Sequence, residues 1–287
     1  MRSYLKILEK ILDEGTIKET RTGINALSIT GYMFEHCMFD GFPLLTTKKM
    51  GLRSVAAELE FFIKGLQDKR WLQERGCHIW DDWCNPELLP YNTDDRTKEM
   101  MKAENDLGRI YGVQWRDWSN WESHSHKSDL DSIDQLEQLV ATLKKNPLDR
   151  RMLVSAWKPD ELDKMALPPC HYAFQVLSDG KYIDLLWNQR SCDVPLGIPY
   201  NIASYALLLL LLAKESKLIP RKLIGFLADV HIYVNQIDTV KAQLKRSPYP
   251  LPTVNILGDK FIFDWEYTDV QLNGYVSHDK LEYPLAV

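Results

Sequence analysis

The sequence predicts an α+β protein: a single domain over residues 1–287, in which a mixed β-sheet packs with helices around a long buried central helix. Three observations carry this prediction. Helical and strand-like segments are interspersed around hairpin signals and do not follow the regular alternation of a parallel βαβ array. Six consecutive leucines, Leu207–Leu212, lie inside an apolar stretch from Ile202 to Ala213. That stretch stops at Lys214, short of the roughly 20 residues that span a bilayer, so it reads as a core helix. No Gly/Ser linker, low-complexity tract or internal repeat divides the chain.

The elements follow in order. Leu5, Leu8, Ile11 and Leu12 recur at helical spacing and Gly15 supplies a stop, which predicts a first helix. Residues 27–39 are rich in β-branched and aromatic side chains and read as extended. Leu52, Val55, Ala56, Leu59, Phe62 and Ile63 mark one face of a helix ending near Gly65. Residues 85–106 and 119–128 read as surface insertions. Ser132 with Gln135 forms a capping-box signature ahead of Leu136, Val140 and Leu143, and Pro147 closes that helix. Asp179-Gly180 predicts a two-residue hairpin between the next two strands. The core helix at 202–213, a strand near 223–233 and a β-rich tail complete the chain.

Composition narrows the function. With 45% hydrophobic and 26% charged residues the chain is globular, neither disordered nor collagenous. Lys plus Arg total 35 against 40 Asp plus Glu, a net charge of -5, which offers no electrostatic capture of nucleic acid or an anionic membrane. Residues 1–6 lack the apolar core of a secretory signal. The five cysteines are odd in number, scattered and never spaced C-x-x-C, which fits free thiols in a reducing cytoplasm and no structural zinc site.

Among those cysteines Cys170 stands apart. It follows Pro168-Pro169, which fix the approach of the chain. With Asp179 and Gly180 as the turn, positions 178 and 181 pair, and counting back places Cys170 opposite Gln189 and next to Arg190. A neighbouring guanidinium favours the reactive thiolate; the alternative is a buried, inert Cys. Glu60 has Lys64 one turn on and reads as an ordinary solvated pair. Glu58 faces Val55, Phe61 and Phe62, where desolvation would raise its pKa toward neutrality, unless it is a solvent-seeking structural Glu. Three clusters around Arg21, around Arg150 and Arg151, and around Arg190 with Gln189 and Ser191 offer guanidinium groups to a phosphate, or are solvated surface groups. No P-loop or dinucleotide fingerprint occurs. His231 and Tyr233 alternate on one strand face and suit a sugar hydroxyl. Trp80 and Trp83 suit a stacking wall or simply the core. His124 and His126 sit in a polar loop and look solvated.

Read together, these residues fall into ordered runs: Arg21-Thr22-Gly23, residues 40–48, Tyr111–Arg116, Asp149–Arg151, Pro168-Pro169-Cys170-His171, Gln189–Val194, Pro199–Ala206 and His231-Ile232-Tyr233. The runs resemble the thymidylate synthase family over nearly the whole chain. The resemblance implies an α+β homodimer, with a sheet face as its interface, that joins dUMP (2'-deoxyuridine 5'-monophosphate) to the one-carbon unit of 5,10-methylenetetrahydrofolate and yields dTMP without a metal. It implies addition of Cys170 to uracil C6 and proton transfers through water held by Glu58, Asn201, His171 and Tyr111. Arg21, Arg190 and Ser191 would hold the nucleotide phosphate, with Arg150 and Arg151 reaching in from the partner subunit, and Gln189 would also touch the nucleotide. Asn201 would read uracil through N3-H and O4, Asp193 would border the nucleotide, and His231 and Tyr233 would meet the ribose. Trp80, Trp83, Asp193, Gly197, Tyr200 and Val287 would shape the folate site.

The chain also departs from the family pattern, at Arg109, Pro195, Leu227-Ala228 and Gly51. The departures bear on folate geometry and water exclusion. The nearest rival is therefore hydroxymethylation, in which water attacks the same exocyclic methylene. A non-catalytic nucleotide-binding relative is a second alternative. A papain-like thiol hydrolase is a third, weakened because His171 is the sequence neighbour of Cys170 on the opposite strand face.

Overall fold

The computed structural model describes residues 1–90, 94–119 and 132–285. Helix α1 (Arg2–Glu14) buries Tyr4, Leu5, Ile7, Leu8 and Ile11, and the Gly15 N–H returns to the Ile11 carbonyl, as the sequence predicts. Strands β1 (Thr16–Lys18) and β2 (Ala26–Cys37) follow, then α2 (Leu52–Ile63), α3 (Arg70–Gln73), α4 (Asp95–Ala103) and α5 (Tyr111–Arg116). The small pair β3 (Trp118–Ser119) and β4 (Ser132–Ile133) precedes α6 (Gln135–Lys145). Next come β5 (Leu153–Ser155), β6 (His171–Ser178), β7 (Tyr182–Asp193), α7 (Ile198–Ser216), β8 (Ile219–Tyr233) and α8 (Ile237–Leu244). The pair β9 (Thr253–Ile256) and β10 (Val270–Asn273) is the regular part of the tail, which carries no other strand among the described residues.

The main sheet runs β1-β2-β8-β7-β6-β5 and is mixed, because β7 and β8 pair in parallel while the other ladders are antiparallel. A parallel pair needs a long crossover, and α7 supplies it. Its leucines are apolar all round the helix and bury accordingly: of Leu207–Leu212 only Leu210 is partly exposed. One face of the sheet carries a row of large side chains, Phe34, Trp187, Phe174 and Val154, in register across four strands and buried. Gly225 interrupts that row because the Trp187 ring lies over it; a Cβ there would meet ring carbons at 2.5 Å. The opposite face is open, with Met33 61%, Phe226 43% and Leu153 50% exposed.

Two local expectations are corrected. Ser132 does not cap α6: it pairs with Ser119 in the β3–β4 ladder, and Asp134 caps instead, accepting the Glu137 N–H at 2.8 Å. Gln135 turns away from the cap and bonds the Gln114 and Ser155 carbonyls at 2.8 Å, tying α6 to α5 and β5. The hairpin also takes a longer turn than Asp-Gly alone requires. Ser178 pairs with Ile183, Asp179 accepts the Lys181 and Tyr182 N–H groups, and a bulge between His171 and Ala173 shifts the register back by one. The net slip places Cys170 against Arg190, whose N–H donates to the Cys170 carbonyl at 2.8 Å, and not against Gln189. Residues 119–128 lie, apart from Ser119, outside the described residues, as do His124 and His126. Among the described residues no helix is long and apolar enough to cross a membrane.

Candidate active site

The predicted residues gather where β7 and β8 end and β2 and β6 begin. Consecutive prolines leave two carbonyls that no ladder satisfies, and Arg190 takes both: Nε donates to Pro169 at 3.0 Å and Nη2 to Pro168 at 2.8 Å. Those bonds use two of its five donors. Trp157 lies 5.5 Å from the same guanidinium. From the other side the Cys170 N–H donates to the Tyr111 hydroxyl at 2.8 Å. Tyr111 opens α5, and Gly112 beside it lets α5 press on α2, since a Cβ there would stand 2.3 Å from the Phe62 carbonyl oxygen. Phe62, Tyr111 and His171 then stack, with ring centroids 5.0 and 4.3 Å apart.

Arg190 favours the thiolate as expected, but burial works against it. Burial pushes the Cys170 thiol above its ordinary 9.0, while Arg190 and the Tyr111 hydroxyl pull it down without overcoming that. His171 Nδ1 is engaged by the Tyr205 hydroxyl at 2.9 Å, and burial holds its pKa near 3, which makes the imidazole a weak base beside that thiol. Glu58 behaves as its apolar neighbours predict: it is buried, accepts the Trp80 indole N–H at 2.8 Å, and is raised to about 7 by desolvation against that hydrogen bond. Trp80 is therefore a hydrogen-bond partner of Glu58. Glu60, read as solvated, is 2% exposed and bridges Lys64 to the Tyr267 backbone N–H at 2.6 and 2.7 Å.

A second group adjoins the first. Gln189 accepts from the Trp187 indole at 3.1 Å and donates to Asn201 Oδ1 at 3.1 Å, which orients the Asn201 amide. Ser191 closes this turn, its carbonyl accepting from Gln189 at 3.0 Å. Asp193 receives the Leu196 N–H at 3.1 Å and Gln236 Nε2 at 3.3 Å, and burial raises its pKa. Gly197 caps α7, with half-buried Tyr200 in the first turn. His231 and Tyr233 meet edge to face at 5.1 Å, and Arg21 stands exposed in the turn between β1 and β2, near the end of β2 that pairs with Tyr233.

Other predicted residues lie apart. Gln175, four residues along β6 from His171, donates to the Arg150 carbonyl at 2.8 Å. Arg150 and Arg151 therefore stand beyond the edge strand at the far end of this ladder, and Arg151 pairs with Asp149 at 2.7 Å. Trp83 is half-buried, with its carbonyl accepting from Lys69 at 2.9 Å, and Val287 lies outside the described residues. Some residues around the site escaped the reading of local pattern. Tyr205 sits inside a recognised run. Gln236, which joins Asp193 to the Pro284 carbonyl at 3.0 Å, and Lys69 carry no periodic signal.

Two departures from the family pattern acquire partners. Arg109 donates to Glu161 at 2.8 Å and Asp117 at 3.0 Å, tying the start of α5 to the segment before Pro168. The Pro195 carbonyl accepts from the buried Lys48 at 2.6 Å, and burial lowers that lysine to about 8.

The profile of the family described as Thymidylate synthase matches residues 2–287. The thymidylate synthase of Mesoplasma florum is 39% identical over 306 aligned residues, covering 100% of both chains. The bifunctional dihydrofolate reductase-thymidylate synthases of Paramecium tetraurelia and Leishmania major are each 40% identical, over 285 and 291 residues. This chain covers 61% and 55% of their lengths. With a match from one end of the sequence to the other and a relative of equal extent, the chain belongs to the thymidylate synthase family.

Proposed function

We propose that this chain is a cytoplasmic homodimeric enzyme, one catalytic domain per subunit, that reductively methylates dUMP to dTMP with 5,10-methylenetetrahydrofolate. The observation that carries this reading is the presentation of Cys170 between the Tyr111 hydroxyl and the Arg190 guanidinium, at the strand ends where Asn201 also converges. The thiol gives its proton to water, its sulfur forms a bond to uracil C6, and the C5–C6 π pair moves toward C5 and O4. Asn201 accepts from N3-H and donates to O4; the Gln189 bond leaves its NH2 and one Oδ1 lone pair for that purpose. The folate supplies the one-carbon unit and the hydride that completes the methyl group. The ionised Glu58 carboxylate takes up the C5 proton through water, with a pKa near 7 suited to both gain and loss. The sulfur then leaves C6 with its bonding pair, restoring the double bond.

The residues fit the folate. Asp193 is a desolvated acceptor for the N–H edge of a flat heterocycle, and Trp80 and half-buried Tyr200, both beside Glu58, offer aromatic faces. Gly197, Trp83 and Val287 complete that set by family likeness. Arg21, Arg190 and Ser191 bind the phosphate together with Arg150 and Arg151 of the second copy. The open sheet face bearing Met33, Phe226 and Leu153 is the dimer interface that brings them in.

The test incubates the protein with dUMP and methylenetetrahydrofolate and resolves the product by mass while following dihydrofolate by absorbance. Methylated nucleotide with stoichiometric dihydrofolate is the expected result. Hydroxymethylated nucleotide with tetrahydrofolate would select the rival chemistry, and binding without turnover would overturn both. Cys170→Ser is expected to lose the activity by at least ~10³-fold.

A further inference from the structure

A lysine outside the reacting cluster holds the loop that carries Trp80. Lys69 is 0% exposed, and its Nζ donates to the backbone carbonyls of Asp81, Trp83 and Met101, each at 2.9 Å. Three donated bonds require all three hydrogens of an ammonium; a neutral amine has only two. The charge is thus spent on main-chain oxygens of two segments, the turn after Trp80 and α4. The groups facing it are Cys84, Asp81, Asp82 and Glu104, which oppose the lowering of its pKa by burial. Asp81 is held a second time from outside, by Gln73 and His78 at 2.9 Å.

We infer that Lys69 is a positioning residue for catalysis: by clamping the Asp81 and Trp83 carbonyls to α4 it fixes the turn that aims the Trp80 indole N–H at the Glu58 carboxylate. The inference rests on the role proposed for Glu58. Beyond Trp80, the titratable groups that interact with Glu58 among the described residues are Cys77, Tyr111 and Tyr200. None of them is held by Lys69, so a change at Lys69 reaches Glu58 through Trp80. Loosening the turn withdraws a hydrogen bond that favours the ionised carboxylate, which moves Glu58 upward from about 7.

The experiment compares wild-type protein, Lys69→Met, Trp80→Phe and the double variant. Two quantities are measured: the Glu58 carboxyl titration by infrared difference against Glu58→Gln, and the pH profile of kcat. For Lys69→Met the expected result is an upward shift of the Glu58 midpoint by about one pH unit, with kcat falling about fivefold at pH 7 and KM for dUMP unchanged. In the Trp80→Phe background the Lys69 substitution is expected to add no further shift. An unmoved midpoint in a folded Lys69→Met protein overturns the inference, as does an equal shift with and without Trp80. Lys69→Gln, which can still meet two carbonyls, serves if the methionine variant does not fold. Failure of both to fold marks a purely structural clip and also overturns it. Wild-type turnover in Glu58→Gln would instead refute the role of Glu58 while the infrared midpoints still decide the role of Lys69.

Discussion

At the scale of single residues, the site keeps ionisable groups away from their ordinary protonation by burial. Burial among Tyr111, Tyr205 and Phe62, with one hydroxyl partner, holds the His171 pKa near 3, so its imidazole is a far weaker base than a papain-like thiol hydrolase requires. Glu58 is displaced in the opposite sense, and stability records it. Its folded-state pKa of about 7 lies above the ordinary 4.5, so the folded protein binds this proton more tightly than the unfolded chain. That contribution is present in full below 4.5 and is lost as pH rises through 7. Glu58→Gln keeps an acceptor for the Trp80 indole and carries no charge. The variant is expected to match wild-type stability near pH 4.5 and to exceed it by about 3 kcal/mol at pH 8, in denaturant melts run at both values. A gap of equal size at the two pH values would show that the buried charge is not its source.

At the scale of elements, what the sequence makes legible is what neighbouring residues decide. The α1 stop at Gly15, the apolar face of α2 and the leucine run of α7 all depend on local spacing, and each element forms where that spacing places it. The hairpin is legible in the same way, but its register is not. The turn length and the bulge at His171 are set by how β6 sits against β7, β5 and the Pro168-Pro169 corner. Ser132 and Glu60 mislead for a related reason, since a strand partner in one case and the Tyr267 backbone in the other override a correct local pattern. Gly225 shows the same dependence from the other side: an isolated glycine in a strand hints at a close approach, but only the fold says that Trp187 fills it. The strand conformation there suits any residue, so the cost of Gly225→Ala is steric alone. We expect a loss of about 1–3 kcal/mol in urea denaturation, relieved by the added change Trp187→Leu. Additive losses in the double variant would contradict this packing.

At the scale of the whole molecule, one subunit lacks part of the proposed phosphate site. Arg190 and Arg21 stand at the strand ends near Cys170, whereas Arg150 and Arg151 stand past the β5 edge at the far end of the β6 ladder. The open sheet face between them presents Met33, Phe226 and Leu153 to solvent, and a second copy laid against it would cover those side chains. If that copy carries its Arg150 and Arg151 into the neighbouring site, two different lesions complement. Cys170→Ala removes the nucleophile and keeps both arginines. The pair Arg150→Ala and Arg151→Ala keeps the nucleophile and removes charge-assisted phosphate contacts, for a loss of ~100-fold or more. Each lesion alone makes a weakly active or inactive homodimer. Subunits dissociated, mixed in equal amounts and reassociated form mixed dimers in half of the cases, each with one site complete, so activity recovers to about a quarter of wild type. If the arginines instead served their own subunit, no site in the mixed dimer would hold both a nucleophile and the arginines. Activity would then stay at the sum of the parents, and the shared site would be refuted.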